Sequence, residues 1–369
     1  MPKDIPSQIG QLLTFGFDGT EVSAKLRATL ATMQPGGVIL FSRNIESPAQ
    51  THALLRECQK SVATPMLLCV DMEGGTVDRL KDVIAPAPSV ADVFATGDKR
   101  LFRKHGQLIG KEVHLLGFNV DFAPVVDLGF EASKTVMTSR TASPNATDTV
   151  AYARGFLKGL KDEHVLGCGK HFPGLGEANL DTHHKLPSIE KSWKKLWDED
   201  LVPYRTMRRE LPFVMVAHGA YPAVTKDSTP ASISKKWIAE ILRKKIGYKG
   251  LVISDDLEMG GVLAAASIEN AAVETIRAGA DIFLVCRNDE HVWRTYNAVL
   301  REAERDKRFA RLVETAAKRV LTFKKKSAEL KHRPVSVPTQ AMVDKLRRLN
   351  WEFTERVRLA SMTAMAGSV

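Results

Sequence analysis

Residues 167–188 read GCGKHFPGLGEANLDTHHKLPS and concentrate groups that can do chemistry. Lys170 and His171 close a short apolar run, where they could clamp hydroxyls or a carboxylate, or bond only locally. Pro173, Gly174 and Gly176 make the tight turn that follows. Asp181 and His183 lie two residues apart, a spacing that lets a carboxylate orient an imidazole. A histidine held in this way can give and take protons. On its own, DTHH reads as readily as a surface turn of solvated histidines. A second constellation is LVISDDLEMG, where Asp255 and Asp256 follow an apolar stem. One carboxylate there is a candidate nucleophile or base, and one can simply cap the next helix. A catalytic metal would draw on His171, His183, His184 and His218. Barrel metallohydrolases usually offer an HxH at an early strand end, and FGFDG and LFSRN carry no histidine. The sequence therefore argues against a metal, and no cofactor is expected.

These residues need a scaffold. Eight short apolar runs recur, at 12–19, 36–43, 66–75, 117–124, 167–174, 213–222, 251–260 and 280–287. Most are continuous and β-branched, as in strands buried on both faces. Amphipathic helical patterns such as SPAQTHALLRECQKSV, DTVAYARGFLKGLKD and ASIENAAVETIRAG lie between them. Alternating strands and helices imply a parallel sheet, and eight units imply an α/β fold of the (β/α)8 TIM-barrel type. Polar residues gather at the C-terminal ends of the runs: Arg43, Asp71 and Glu73, Asp121, Lys170 and His171, His218, Asp255 and Asp256, and Arg287. In a barrel that end is the mouth of the active site. An open doubly wound sheet would call for a Gly-rich phosphate turn, and DMEGGTVDR is not GxGxxG. The expected organisation is one barrel domain over residues 1–330. Residues 331–369 then form a linker and a C-terminal helix packed on its outside.

The 369 residues are 44% hydrophobic and 26% charged, as in a globular domain. No apolar run approaches the roughly 18 residues of a membrane span. The start, MPKDIPSQIGQ, lacks an apolar signal core, so a cytoplasmic location is expected. Cys58, Cys69, Cys168 and Cys286 have no CxxC spacing and read as free thiols, three of them within apolar runs. The net charge of +10 lies largely on amphipathic stretches such as KKWIAEILRKKIGYK and REAERDKRFARLVETAAKRVLTFKKK. Solvated helix faces account for it, and no nucleic-acid motif accompanies it. A monomer with a small-molecule substrate is expected, without a nucleic-acid or membrane partner.

VDMEGGTVDRL, FNVDFAPVVDL, KHFPGLGEANLDTHHKLP and VISDDLEM, in this order along the chain, resemble family 3 glycoside hydrolases. More narrowly, they look like the single-domain bacterial β-N-acetylhexosaminidases of cell-wall recycling, and the resemblance covers roughly residues 8–330. It implies a retaining exo-β-N-acetylglucosaminidase acting on peptidoglycan-derived fragments. Asp255 would be the nucleophile, His183 the general acid/base and Asp181 its partner. Asp71, Arg79, Arg140, Lys170 and His171 would bind the sugar. Leu175 stands where the family usually has a second histidine, and Glu177 where an aspartate follows. A phosphorylase, or a β-glucosidase or β-xylosidase of the same family, is the nearest alternative. A non-catalytic sugar-binding protein is a further one, although Asp255, His183 and Asp181 are all retained.

Overall fold

The computed structural model describes residues 4–178, 185–331 and 336–366. Its parallel strands are β1 (Leu13–Phe15), β2 (Gly37–Ile39), β3 (Leu67–Val70), β4 (Val120–Asp121), β5 (Leu166–Phe172), β6 (Phe213–Val216), β7 (Leu251–Asp256) and β8 (Ile282–Val285). They close into an eight-stranded barrel in the order β1-β8-β7-β6-β5-β4-β3-β2. Thr14 is opposite both Gly37 and Leu284, which seals the ring between first and last strands. Each strand coincides with one of the eight apolar runs, β5 starting one residue before its run, and is shorter than the run, because the polar end of each run turns out into a loop.

The barrel interior is filled by side chains such as Ile39, Cys69, Val120, Cys168, Met215 and Ile253. Val320 and Phe323, on the helix Lys307–Lys326, pack against this cluster. Lys324 on the same helix is buried. Its ammonium donates to Gln11 Oε1 at 3.0 Å and to the Gly36 carbonyl at 2.7 Å. Loss of hydration pulls its pKa down to about 7. All four cysteines are free and buried.

Helices cover the outside where the amphipathic patterns lie: Pro48–Lys60, Ala146–Asp162 and Ile268–Ala278. Helices Lys99–Leu115 and Ala146–Asp162 approach closely at Gly159, where a Cβ would meet the Arg103 carbonyl oxygen at 2.3 Å. Two details differ from the sequence pattern. The stretch from Arg301 to Lys326 is not one helix: it breaks at Asp306, which is extended (φ −115°, ψ 105°) and caps Arg308 N. The run at 66–75 is not one strand either. β3 stops at Val70, and Met72–Gly74 pairs antiparallel with Val77–Asp78. Gly75, at φ +62°, lies in the turn between them.

The helix Gln340–Ala366 buries Val343, Leu346, Phe353 and Val357 in the main core. Asn350 donates to Glu112 Oε1 at 2.9 Å and to the Ala85 carbonyl at 3.2 Å. Arg347 donates to the carbonyls of Val83 and Ile84. Among the described residues, no helix is long and apolar enough to cross a membrane.

Candidate active site

The C-terminal ends of the strands surround a cavity of about 560 Å³. Six of the residues proposed from sequence line it: Asp71, Arg79, Arg140, Lys170, His171 and Asp255. They come from four different places in the chain, and the barrel brings them together. Asp181 and His183 lie outside the described residues.

The floor on the β3–β5 side is an ion-pair network. Lys170 ends deep in β5, with its side chain only 3% exposed. Its Nζ lies 2.8 Å from Asp71 Oδ1 and 2.6 Å from Glu73 Oε1. Arg140, in the loop after β4, grips Glu73 with two parallel hydrogen bonds of 2.8 and 2.9 Å. A buried carboxylate shared by two cations is one of the few ways to bury charge without a large penalty. Burial alone would raise the Glu73 pKa, but Arg140 and Lys170 outweigh it and hold the group well below the usual carboxylate range. The same anions raise the pKa of Lys170 against the pull of burial. The result is a preorganised clamp with fixed donors and acceptors, suited to a ring of hydroxyls. Arg79 reaches the cavity beside Phe41, its guanidinium carbon 5.5 Å from the ring centroid. Its Nε has no hydrogen-bond partner among the described residues.

His171 is fixed from behind by Asp127, a residue to which the sequence gave no role. Asp127 Oδ2 accepts from the His171 amide at 3.0 Å and stands 2.7 Å from its Nδ1. Asp127 Oδ1 accepts from Leu175 N at 2.7 Å. One buried carboxylate therefore sets the histidine's tautomer and anchors the turn that follows. The signal was a lone aspartate closing the apolar VVDL of FNVDFAPVVDL, indistinguishable in sequence from a loop cap. Leu175 is buried and lines the cavity, and Glu177 forms an ion pair with Lys191 at 3.5 Å.

Asp255 lies at the end of β7, half-buried on the cavity wall. Its Oδ1 accepts from the Asp256 amide at 2.9 Å. Burial works to raise its pKa. The charges of His171 and His218, the Asp256 amide and Lys170 outweigh that and leave it below the ordinary aspartate value. Asp256 goes the other way. Burial pushes its pKa up to about 7, and the neighbouring charges of Glu258 and Asp255 add to the rise. Its Oδ1 accepts from the amides of Glu258 and Cys286 at 3.1 and 3.2 Å. Two adjacent carboxyls thus differ in ionisation, one held as the anion and one titrating near neutrality.

Two strand-end polar residues do not face the mouth. Asp121 is fully buried beneath it, its Oδ1 accepting from Met72 N at 2.9 Å, and loss of hydration drives its pKa well up. His218 is also fully buried. Its Nε2 donates to the Asp256 carbonyl at 2.8 Å, and its Nδ1 is 2.7 Å from Ser232 Oγ. It braces the turn that carries the two aspartates.

Comparison with known proteins follows from this arrangement. Residues 5–323 match the glycosyl hydrolase family 3 N-terminal domain. A β-hexosaminidase of Alkalilimnicola ehrlichii is 37% identical over 287 residues, covering 76% of this chain and 82% of that protein. One from Bordetella pertussis is 36% identical over 279 residues, covering 73% and 78%. A family 3 β-N-acetylglucosaminidase structure from Paenibacillus sp. str. FPU-7 superposes with a TM-score of 0.86 at 30% identity, covering 94% of this chain and 68% of that one. A barrel with a carboxylate-and-cation cavity at its C-terminal face, matched along nearly its whole length, places this chain in glycosyl hydrolase family 3, and it is a glycoside hydrolase.

Proposed function

We propose that the chain is a retaining exo-β-N-acetylglucosaminidase that removes terminal β-linked N-acetylglucosamine from peptidoglycan-derived fragments. The observation that carries this reading is Asp255. It is held anionic at the edge of a hydroxyl clamp, where a sugar's anomeric carbon would lie. The relatives named β-hexosaminidase supply the sugar.

In the first step a carboxylate oxygen of Asp255 bonds to C1 as the C1–O bond to the aglycone breaks. His183 gives its proton to the departing oxygen. In the second, His183 takes a proton from water, the water oxygen bonds to C1 and the bond to Asp255 breaks. Two inversions retain the β configuration. The transition states carry positive charge at C1, which an adjacent carboxylate stabilises. Asp181 would orient His183 and support its cation. A histidine near neutral pKa can serve as both acid and base. Asp71, Arg79, Arg140, Lys170 and His171 would read the hydroxyls, with Asp71 and Lys170 fixed on each other, Arg140 on Glu73 and His171 on Asp127.

Release of 4-nitrophenol from its β-N-acetylglucosaminide tests this directly, with the β-glucoside as the comparison. Wild type should prefer the N-acetyl sugar. Asp255→Ala should lower kcat by about 10³-fold or more, and His183→Ala sharply. Preference for the glucoside would overturn the substrate, and an active Asp255→Ala would overturn the mechanism.

A further inference from the structure

The rim of the cavity carries a cationic pair that the clamp does not use. Arg43 follows β2 and Arg287 follows β8, the two strands that flank β1. Arg43 Nη2 donates to the Cys286 carbonyl, the peptide group leading into Arg287. The side chain of Arg43 is thereby tied to the backbone that presents Arg287, and both side chains line the same mouth.

Neither guanidinium has a buried ion-pair partner among the described residues. Arg43 pairs with Asp18 at 2.9 Å, but that carboxylate is 81% exposed, where water and salt screen the attraction. Arg287 is exposed at the mouth, and no ion pair forms on its side chain among the described residues. Asp289, two residues on, pairs with Lys25 at 2.8 Å, and Glu258, which also lines the cavity, accepts from the amides of Arg287 and Asn288 and stands 2.7 Å from His291 Nδ1. Deeper in the cavity, by contrast, Lys170 and Arg140 are matched by Asp71 and Glu73. Like charges gathered at one rim repel, and an anion between them would relieve this.

We propose that Arg43 and Arg287 form an anion subsite for a carboxylate or phosphate group on the leaving-group side of the cavity. This rests on the exo-acting reading above, in which the sugar fills the clamp and whatever leaves or enters at C1 lies toward the mouth. The anion has two sources. It is an acidic group on the aglycone, or it is inorganic phosphate, whose oxygen would bond to C1 as the bond to Asp255 breaks.

Calorimetry on the full chain tests the subsite without turnover, and a product assay separates its two sources. The probes are N-acetylmuramic acid, its methyl ester and inorganic phosphate, titrated into wild type, Arg287→Ala and Arg287→Glu. The acid should bind wild type about five- to tenfold more tightly than the ester. That preference should fall to about twofold or less in Arg287→Ala, and reverse in Arg287→Glu. Added phosphate should compete with the acid. Formation of N-acetylglucosamine 1-phosphate from the nitrophenyl sugar, followed by phosphorus NMR, would assign the subsite to phosphate as acceptor. Its absence, with the acid preference intact, would assign the subsite to the aglycone. Equal or undetectable binding of acid and ester by wild type, or a preference that survives Arg287→Glu, would overturn the proposal. Loss of nitrophenyl hydrolysis is a separate result and bears only on the proposed function.

Discussion

Asp255 and Asp256 are neighbours whose surroundings push them in opposite directions. Asp255 faces cationic groups and stays ionised, while Asp256 is buried beside other carboxylates and rises to about 7. A raised folded pKa means the folded protein binds the proton more tightly than the unfolded chain. The stabilisation is complete below the unfolded value of about 4 and is lost as pH climbs through about 7. Asp256→Asn mimics the protonated carboxyl and keeps an acceptor for the amides of Glu258 and Cys286. Between pH 4 and 8 wild type should therefore lose stability relative to this variant, by on the order of 3 kcal/mol. Parallel pH dependence of Tm in the two proteins would show that Asp256 does not titrate there.

The elements hold these side chains by a few buried carboxylates. Asp281, at the start of β8, accepts from Val252 N of β7 at 2.8 Å and from Arg243 and Arg319 on two outer helices. Asp281→Ala would leave two guanidiniums facing a buried void. It should cost about 3–5 kcal/mol in denaturant unfolding, and a change under about 1 kcal/mol would refute this role. Asp127 does a similar job for the catalytic face. Asp127→Ala frees the His171 ring and the Leu175 amide together, so kcat should fall about 10- to 100-fold. Asp127→Asn keeps an acceptor and should recover part of the loss; equal defects would point to packing alone. At this scale the sequence was informative where chemistry is local. Continuous β-branched runs announced the strands, and the polar residues that close them announced the mouth. Asp71, Lys170 and Asp255 were legible for that reason. Asp127, Glu73 and Asp281 were not legible as anchors, because their partners are 44, 67 and 38 residues away. The burial of Asp121 and His218 was hidden for a related reason: a strand-end residue faces the mouth or the core depending on one step of register.

The whole molecule is a barrel with Val320 and Phe323 packed against its inner cluster and the helix Gln340–Ala366 docked on its side. That helix holds its place through four apolar side chains and through Asn350, which reaches the buried Glu112. Phe353→Ala should cost about 3–5 kcal/mol and lower Tm by several degrees, without altering kcat. An unchanged Tm would mean that the helix contributes little to global stability. The covalent route through Asp255 is tested most directly by mass spectrometry after reaction with a 5-fluoro-β-N-acetylglucosaminyl fluoride. Intact wild type should gain the mass of one fluorosugar, and digestion should locate it on Asp255. An unlabelled enzyme that continues to turn over substrate, or a label on another carboxylate, would contradict the assignment.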